Sequence, residues 1–136
     1  MITITKQFEF AAAHKLPYHE GLCKNLHGHS YKLEVTVGKK LKDLLLEDAS
    51  IKDFPSKGMV MDFKTLKNII QKNVIDHLDH AYLNNFVTNP TAELLVIYIL
   101  GKIGGEIKKQ AHLIRIRLWE SSTSYAEWKT KEYNTP

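Results

Sequence analysis

The chain has a single cysteine, Cys23, among its 136 residues. One thiol cannot form an internal disulfide, so a reducing, cytoplasmic setting is expected rather than a secreted one. No uninterrupted apolar run approaches the roughly 18 residues that a membrane helix needs. Lys6 and Glu9 break up the N-terminus as a secretory leader, so none is expected. Internal repeats, low-complexity tracts and linker-like stretches are also missing, which predicts one domain over residues 1–136. With 43% hydrophobic and 25% charged residues, the chain has the composition of a globular protein with its own core. Its formal charge of +4 suits an anionic partner, either nucleic acid or a phosphorylated small molecule.

What is present begins with alternation. In ITITKQFEFAAAH, the residues Ile2, Ile4, Phe8, Phe10, Ala12 and His14 fall on one face, with Lys6 as the exception. That period predicts a half-buried strand. From His27 onward, His27, His29, Tyr31, Leu33, Val35 and Val37 form one face of a second strand. Ser30, Lys32, Glu34 and Thr36 form the other, expected to be wet. Residues 39–58 read as a connection, with Leu41, Leu44 and Leu45 forming a short amphipathic turn before Pro55 and Gly58.

Asp62 is placed to cap a helix that runs to about Leu78, with Leu66, Ile69, Ile70, Val74 and Leu78 as its apolar stripe. Asn89-Pro90-Thr91 opens a second helix, capped by Thr91, with Leu94 to Ile103 as its body. Gly104-Gly105 are expected to weaken or end it. HLIRIRLWE and SYAEWKTKEY read as two closing strands around a Ser/Thr turn. The order strand, strand, helix, helix, strand, strand predicts an α+β fold: a four-stranded antiparallel sheet with both helices on one face.

Positions i and i+2 of a strand point the same way, so His27 and His29 both project from the apolar face, with Gly28 between them permitting close backbone approach. His14 projects from the apolar face of its own strand. If the two strands pair, three imidazoles converge, and three neutral imidazoles are a zinc set that leaves a fourth position free for water or substrate. One histidine near a core is ordinarily hydrogen-bonded packing. Three on converging faces, two of them as H-x-H, favour a metal centre. Cys23, in the loop leading into this site, has three readings. It is a fourth ligand closing a structural site, an inert buried thiol, or an acid–base group beside the ion. Spacing does not separate ligand from base.

Further positions are weighed between a structural and a functional reading. Asp79 and His80 sit together at the end of the first helix, where the macrodipole favours a histidine and His77 also lies. The same pair fits a proton relay in which a carboxylate orients an imidazole. Glu120 follows the apolar face of Ile114, Ile116 and Leu118; it is either a solvated strand end or a carboxylate that accepts paired N–H bonds from a planar heterocycle. Thr91 and Glu93 suit a helix N-terminus as a cap and an early acid. Lys15 is a surface lysine by default, within reach of a phosphate in the alternative.

FEFAAAHKL, CKNLHGHSY, GMVMDF, LDHAYLN, NPTAELL and LWESS stand in the order found in the pterin synthases. From Phe8 to about Glu127 the chain resembles the family of 6-pyruvoyl- and 6-carboxy-tetrahydropterin synthases. The resemblance implies the tunnelling fold and a zinc enzyme acting on 7,8-dihydroneopterin triphosphate. It implies that His14, His27 and His29 hold zinc and that Cys23 is the catalytic base, unligated. It makes Asp79 and His80 the rest of a Cys-Asp-His set completed across a subunit boundary. Glu120 becomes the anchor of the pterin ring, and Thr91 and Glu93 match pocket residues. Ala92 and Leu94 depart from the polar residues often found there, and the connection at 39–58 is longer than in compact members. Several subunits are implied, as a homohexamer of two stacked trimers.

Three functions compete. A carboxy-tetrahydropterin synthase would release triphosphate and acetaldehyde, as a lyase on the route to queuosine. The pyruvoyl-forming relative shares the first half of that chemistry. A zinc-stabilised nucleic-acid-binding domain is the third, and it fails because the basic residues are scattered and not interleaved with aromatics on one face. Three residues separate Cys23 from His27. That gap resembles the bacterial carboxy type, so the first reading is preferred, with no nucleic acid or membrane as partner.

Overall fold

The computed structural model describes residues 1–44 and 58–131. Leu45 and Pro55 of the expected connecting turn lie outside the described residues. Strands β1 (Ile2–His14) and β2 (His27–Lys39) are followed by a short helix α1 (Leu41–Leu44). Helix α2 (Phe63–Ile70) passes through a π-turn (Gln71–Ile75) into α3 (Asp76–Leu78) and the two-residue strand β3 (Ala81–Tyr82). Helix α4 (Ala92–Lys108) leads to β4 (His112–Ser121) and β5 (Ser124–Lys129). Of the closing stretch SYAEWKTKEY, the strand ends at Lys129, and Glu132 and Tyr133 lie outside the described residues.

The sheet has five strands in the order β3-β1-β2-β4-β5, and it is mixed. This corrects the four-stranded antiparallel expectation. The added strand pairs parallel to β1 through only Ala12↔Ala81 and Ala13↔Tyr82. Two residues give no alternation, so the pattern had nothing to register. The other pairs are antiparallel, and β1 runs against β2 from Ile2↔Lys39 to His14↔His27 without a break.

Asp62 caps α2 as expected, accepting from Lys64 N–H at 2.8 Å. The stripe then buries Leu66, Ile70, Val74 and Leu78, even though the π-turn interrupts the helix between them. Asn73 Nδ2 donates to Ile69 O at 2.8 Å, occupying a carbonyl beside the widened turn. Thr91 caps α4 through Leu94 N–H at 3.2 Å. The helix does not stop at Gly104-Gly105 but runs to Lys108. Ile103 and Ile107, one turn apart and fully buried, hold the glycine pair helical from both sides. Among the described residues, no helix is long and apolar enough to cross a membrane.

Two strand-face expectations also change. Glu34 and Thr36, expected to be wet, are 7% and 5% exposed because β2 is the central strand and long neighbours cover them. Gln7 Nε2 donates to Glu34 Oε1 at 3.0 Å, and the Thr5 and Thr36 hydroxyls lie 2.7 Å apart. Ile114 does not continue the face of Ile116 and Leu118. Thr36 pairs with Arg115 and Val37 with Leu113, so Ile114 is the extra residue of a β-bulge. Leu113 packs against the core in its place, and Ile114 turns toward Gly38, where an added Cβ would come within 3.2 Å of it.

A Cβ added at Gly105 meets nothing within 4 Å. Gly105→Ala should therefore stabilise the protein by about 0.5–1 kcal/mol through helix propensity. A higher denaturant midpoint with an unchanged slope is the expected readout, and a lower midpoint would show that the glycine serves a contact.

Candidate active site

The long, unbroken pairing of β1 with β2 delivers the site. His14 lies opposite His27, and Ala12 lies opposite His29, so all three imidazoles leave the sheet on its core side at one end. Their ring centroids form a nearly equilateral triangle, with separations of 4.5, 4.9 and 5.0 Å, and each pair meets edge to face. One ligating atom from each falls within 4.8 Å of the others. His14 is fully buried, and burial lowers its pKa below the ordinary value, favouring the neutral ring.

Hydrogen bonds to backbone carbonyls fix which nitrogens are bare. His14 Nδ1 lies 2.8 Å from Pro90 O, and His27 Nδ1 lies 2.7 Å from Asn25 O. A carbonyl can only accept, so both Nδ1 atoms carry the proton, and in the neutral rings both Nε2 atoms are left with exposed lone pairs. Those two Nε2 atoms face one another at 2.9 Å. Two lone pairs at that distance repel unless a proton or a cation sits between them. His29 Nε2 is buried and has no hydrogen-bond partner; Glu120 Oε1 lies 3.2 Å away but out of bonding orientation. Two opposed lone pairs and one orphaned nitrogen are what a single ion bound by three histidines would satisfy, with the carbonyls in the supporting role seen around metal-bound imidazoles. The residues present therefore fit a single metal ion held by three nitrogens.

Pro90 and Asn25 were not visible as site residues in the sequence, because a backbone carbonyl carries no side-chain signature. Tyr31, whose hydroxyl lies 3.3 Å from His14 Nδ1, was visible only as a core position.

Other expected residues are placed as follows. Cys23 lies in the 3-10 turn Leu22–Lys24, half-buried and outside the imidazole group, so the fourth-ligand reading finds no support here. The turn is tied to the end of β1 by Leu16 N–H donating to Cys23 O at 2.9 Å. Glu120 faces the imidazoles directly. Thr91 spends its hydroxyl on the helix cap while its neighbour Pro90 supports His14, and Glu93 is exposed on the first turn. Asn84 grips Lys15 through two backbone bonds of 2.9 Å and leaves its side chain exposed.

Asp79 and His80 are built as a unit. Asp79 Oδ1 accepts from Ala11 N–H at 3.0 Å, and His80 N–H donates to Ala11 O at 2.6 Å. The Ala11 bond holds the Asp79 carboxyl below the usual carboxylate range, with the adjacent imidazole adding to the effect. His80 takes φ 59°, an unusual conformation for a non-glycine residue, and its Nδ1 lies 3.1 Å from Asp79 Oδ1. The imidazole is exposed and borders an open hollow of about 450 Å³ with Ala11, Ala13, Gly28, Ser30 and Ala81. Within one chain, the described contacts do not join this pair to Cys23. Gly28 is not needed for close approach, since a Cβ there would sit 3.5 Å from Ala12 O, an ordinary contact.

Fold and site together define an α+β domain that gathers three imidazoles able to hold one metal ion. The sequence profile described as 6-pyruvoyl tetrahydropterin synthase matches residues 3–131, and the chain belongs to that family. A 6-carboxy-5,6,7,8-tetrahydropterin synthase of Haemophilus influenzae is 32% identical over 151 aligned positions, covering 95% of this chain and 99% of its own. One from Synechocystis is 39% identical over 130, covering 94% and 93%. The structure of Caenorhabditis elegans 6-pyruvoyl tetrahydropterin synthase superposes with a TM-score of 0.71 at 25% identity, over 95% of both chains.

If the three nitrogens hold a metal ion, replacing His27 or His29 with Ala should abolish stoichiometric metal, as read by elemental analysis of the purified protein. Full metal content in both variants would reject the three-nitrogen site.

Proposed function

We propose that this chain is a 6-carboxy-5,6,7,8-tetrahydropterin synthase. In this reading it is a zinc-dependent carbon–carbon lyase that converts 7,8-dihydroneopterin triphosphate, with release of acetaldehyde and triphosphate. The observation that carries the reading is the set of bare imidazole nitrogens facing Glu120, in a chain with carboxy-forming relatives along nearly its whole length. The three-residue gap between Cys23 and His27 supports the carboxy product over the pyruvoyl one.

His14, His27 and His29 would hold the zinc. Once bound, zinc supplies Lewis acidity toward the oxygens of the substrate side chain. Glu120, at the rim of the imidazole cluster, accepts two N–H bonds from the amino edge of the pterin ring and so orients the side chain. Cys23 takes the carbon-bound proton, held at the end of β1 by the Leu16 bond. His80 receives and returns protons in the following steps, while Asp79 fixes its ring through the double clamp to Ala11. Because one chain does not join Asp79 and His80 to Cys23, the set is completed by another subunit. This is the basis for a homohexamer of stacked trimers with the tunnelling fold. Thr91 and Glu93 line the pocket edge. The setting is the cytoplasm, and the product feeds queuosine formation.

Incubation with 7,8-dihydroneopterin triphosphate should yield acetaldehyde and the carboxylated pterin in equal amounts. A pyruvoyl product would move the assignment to the sister activity. Cys23→Ala should keep zinc and lose turnover. His80→Ala should cost roughly 10²–10⁴-fold in turnover with zinc intact, as for a removed general acid–base group. Normal turnover in His80→Ala would remove the relay.

Glu120→Gln should fold and keep its metal while binding dihydropterins weakly in a fluorescence titration. Unchanged affinity would leave Glu120 an ordinary strand end.

A further inference from the structure

The face of the sheet opposite the core carries a second concentration of polar chemistry, far from the imidazoles. A hollow of about 260 Å³ is lined there by Thr3, Thr5, Thr36, Arg115, Lys129 and Thr130. Four hydroxyls and two cations line it, and no carboxylate does among the described residues. Thr5 and His14 are nine residues apart on β1, roughly 30 Å at ~3.3 Å per residue, and they leave opposite faces of the strand.

Among the described residues, the cations here outnumber the acids they meet. Glu127 is held by Arg117, which donates through Nε at 2.9 Å and lies at 2.8 Å through Nη2. The same carboxylate also serves Lys129 at 3.4 Å and Arg115 at 3.5 Å. Glu34 faces Arg117 at 3.7 Å and Lys32 at 3.9 Å. Among the described residues of this network, four cations share two carboxylates. Arg115 Nε is buried and has no hydrogen-bond partner, since Glu127 lies out of bonding orientation. A buried donor left unmet is disfavoured unless a ligand accepts from it. One of the paired Thr5 and Thr36 hydroxyls donates to the other, which leaves the acceptor's own proton free for a ligand.

The backbone is shaped for the same place. The bulge at Ile114 turns Ile114 and Arg115 together toward this face, where strict alternation would have sent one of them to the core.

We propose that this hollow binds a small oxyanion of the phosphate class. A planar carboxylate would use only the Arg115 fork. A tetrahedral oxyanion can also meet the hydroxyls arriving from β1 and β2 and from the end of β5. The site is independent of the pterin reading.

Isothermal titration of the full chain with inorganic phosphate, at fixed ionic strength, tests it. One saturable event per chain is expected, retained in His27→Ala and weakened about tenfold or more in Arg115→Gln, which is one lost charge-assisted contact. Should Arg115→Gln fail to fold, Thr5→Val and Lys129→Gln serve, each weakening uptake while the fold is kept. A parallel titration with inorganic triphosphate distinguishes a single phosphoryl group from a polyphosphate as occupant; competition between the two for this event supports the site. No uptake by the wild type would overturn the proposal, as when an acidic side chain of a second copy fills the hollow. So would uptake lost in His27→Ala, or untouched by all three variants on this face.

Discussion

The register between β1 and β2 is the constraint on which the rest depends. His14 and His27 are opposite one another because thirteen consecutive pairs are in step from Ile2↔Lys39 onward. A slip by one residue would send one strand's histidines to the other face and expose Phe8 and Phe10, or Leu33 and Val35, to water. The core and the imidazole cluster therefore enforce the same alignment. Burying the apolar face sets the ligand geometry at no separate cost, and stacking of Phe10 on Tyr31 at 5.0 Å links the two regions directly.

Around that alignment, the two ends of the sheet do opposite electrostatic work. At one end, backbone carbonyls of Asn25 and Pro90 take the Nδ1 protons and leave nitrogens that seek a cation. At the other, guanidinium and ammonium groups outnumber the acids they touch among the described residues. Burial works against charge on Glu127, yet its bonds to Arg117 and Lys129 prevail and hold its carboxyl below the usual range. Arg117 shows the converse: burial opposes its charge, and Glu127 outweighs it, raising its pKa. Arg117 and Glu127 favour their charged forms because each compensates the other.

The elements with strong periods were legible in the sequence: β1, β2, both helix caps, and the three histidines. Chemistry carried by a side chain of a distinctive type, at spacing two along a strand, survives translation into three dimensions. What was not legible came from features without a period. Strand β3 has two residues, the π-turn hides inside an intact apolar stripe, and the bulge at Ile114 lies within IRIRL, whose alternation looks unbroken. Glu34 read as solvent-facing because its own strand says so. Its burial is decided by Gln7 and Arg117, which come from other strands. The carbonyls of Asn25 and Pro90 belong to the same group, since their role depends on position and not on residue type.

The π-turn between α2 and α3 acts as a phase setting. Such a turn holds one more residue than the α-helix it interrupts. Winding the same residues as an ordinary α-helix, with none removed, would leave the capped start at Asp62 undisturbed. Everything after the turn would rotate by about 100° and advance by about 1.5 Å, the step of one helical residue. Leu78 would leave the core, and Asp79 would swing away from the Ala11 N–H that now holds it. The width of one turn thus decides where an exposed imidazole is carried, while touching none of the side chains around it.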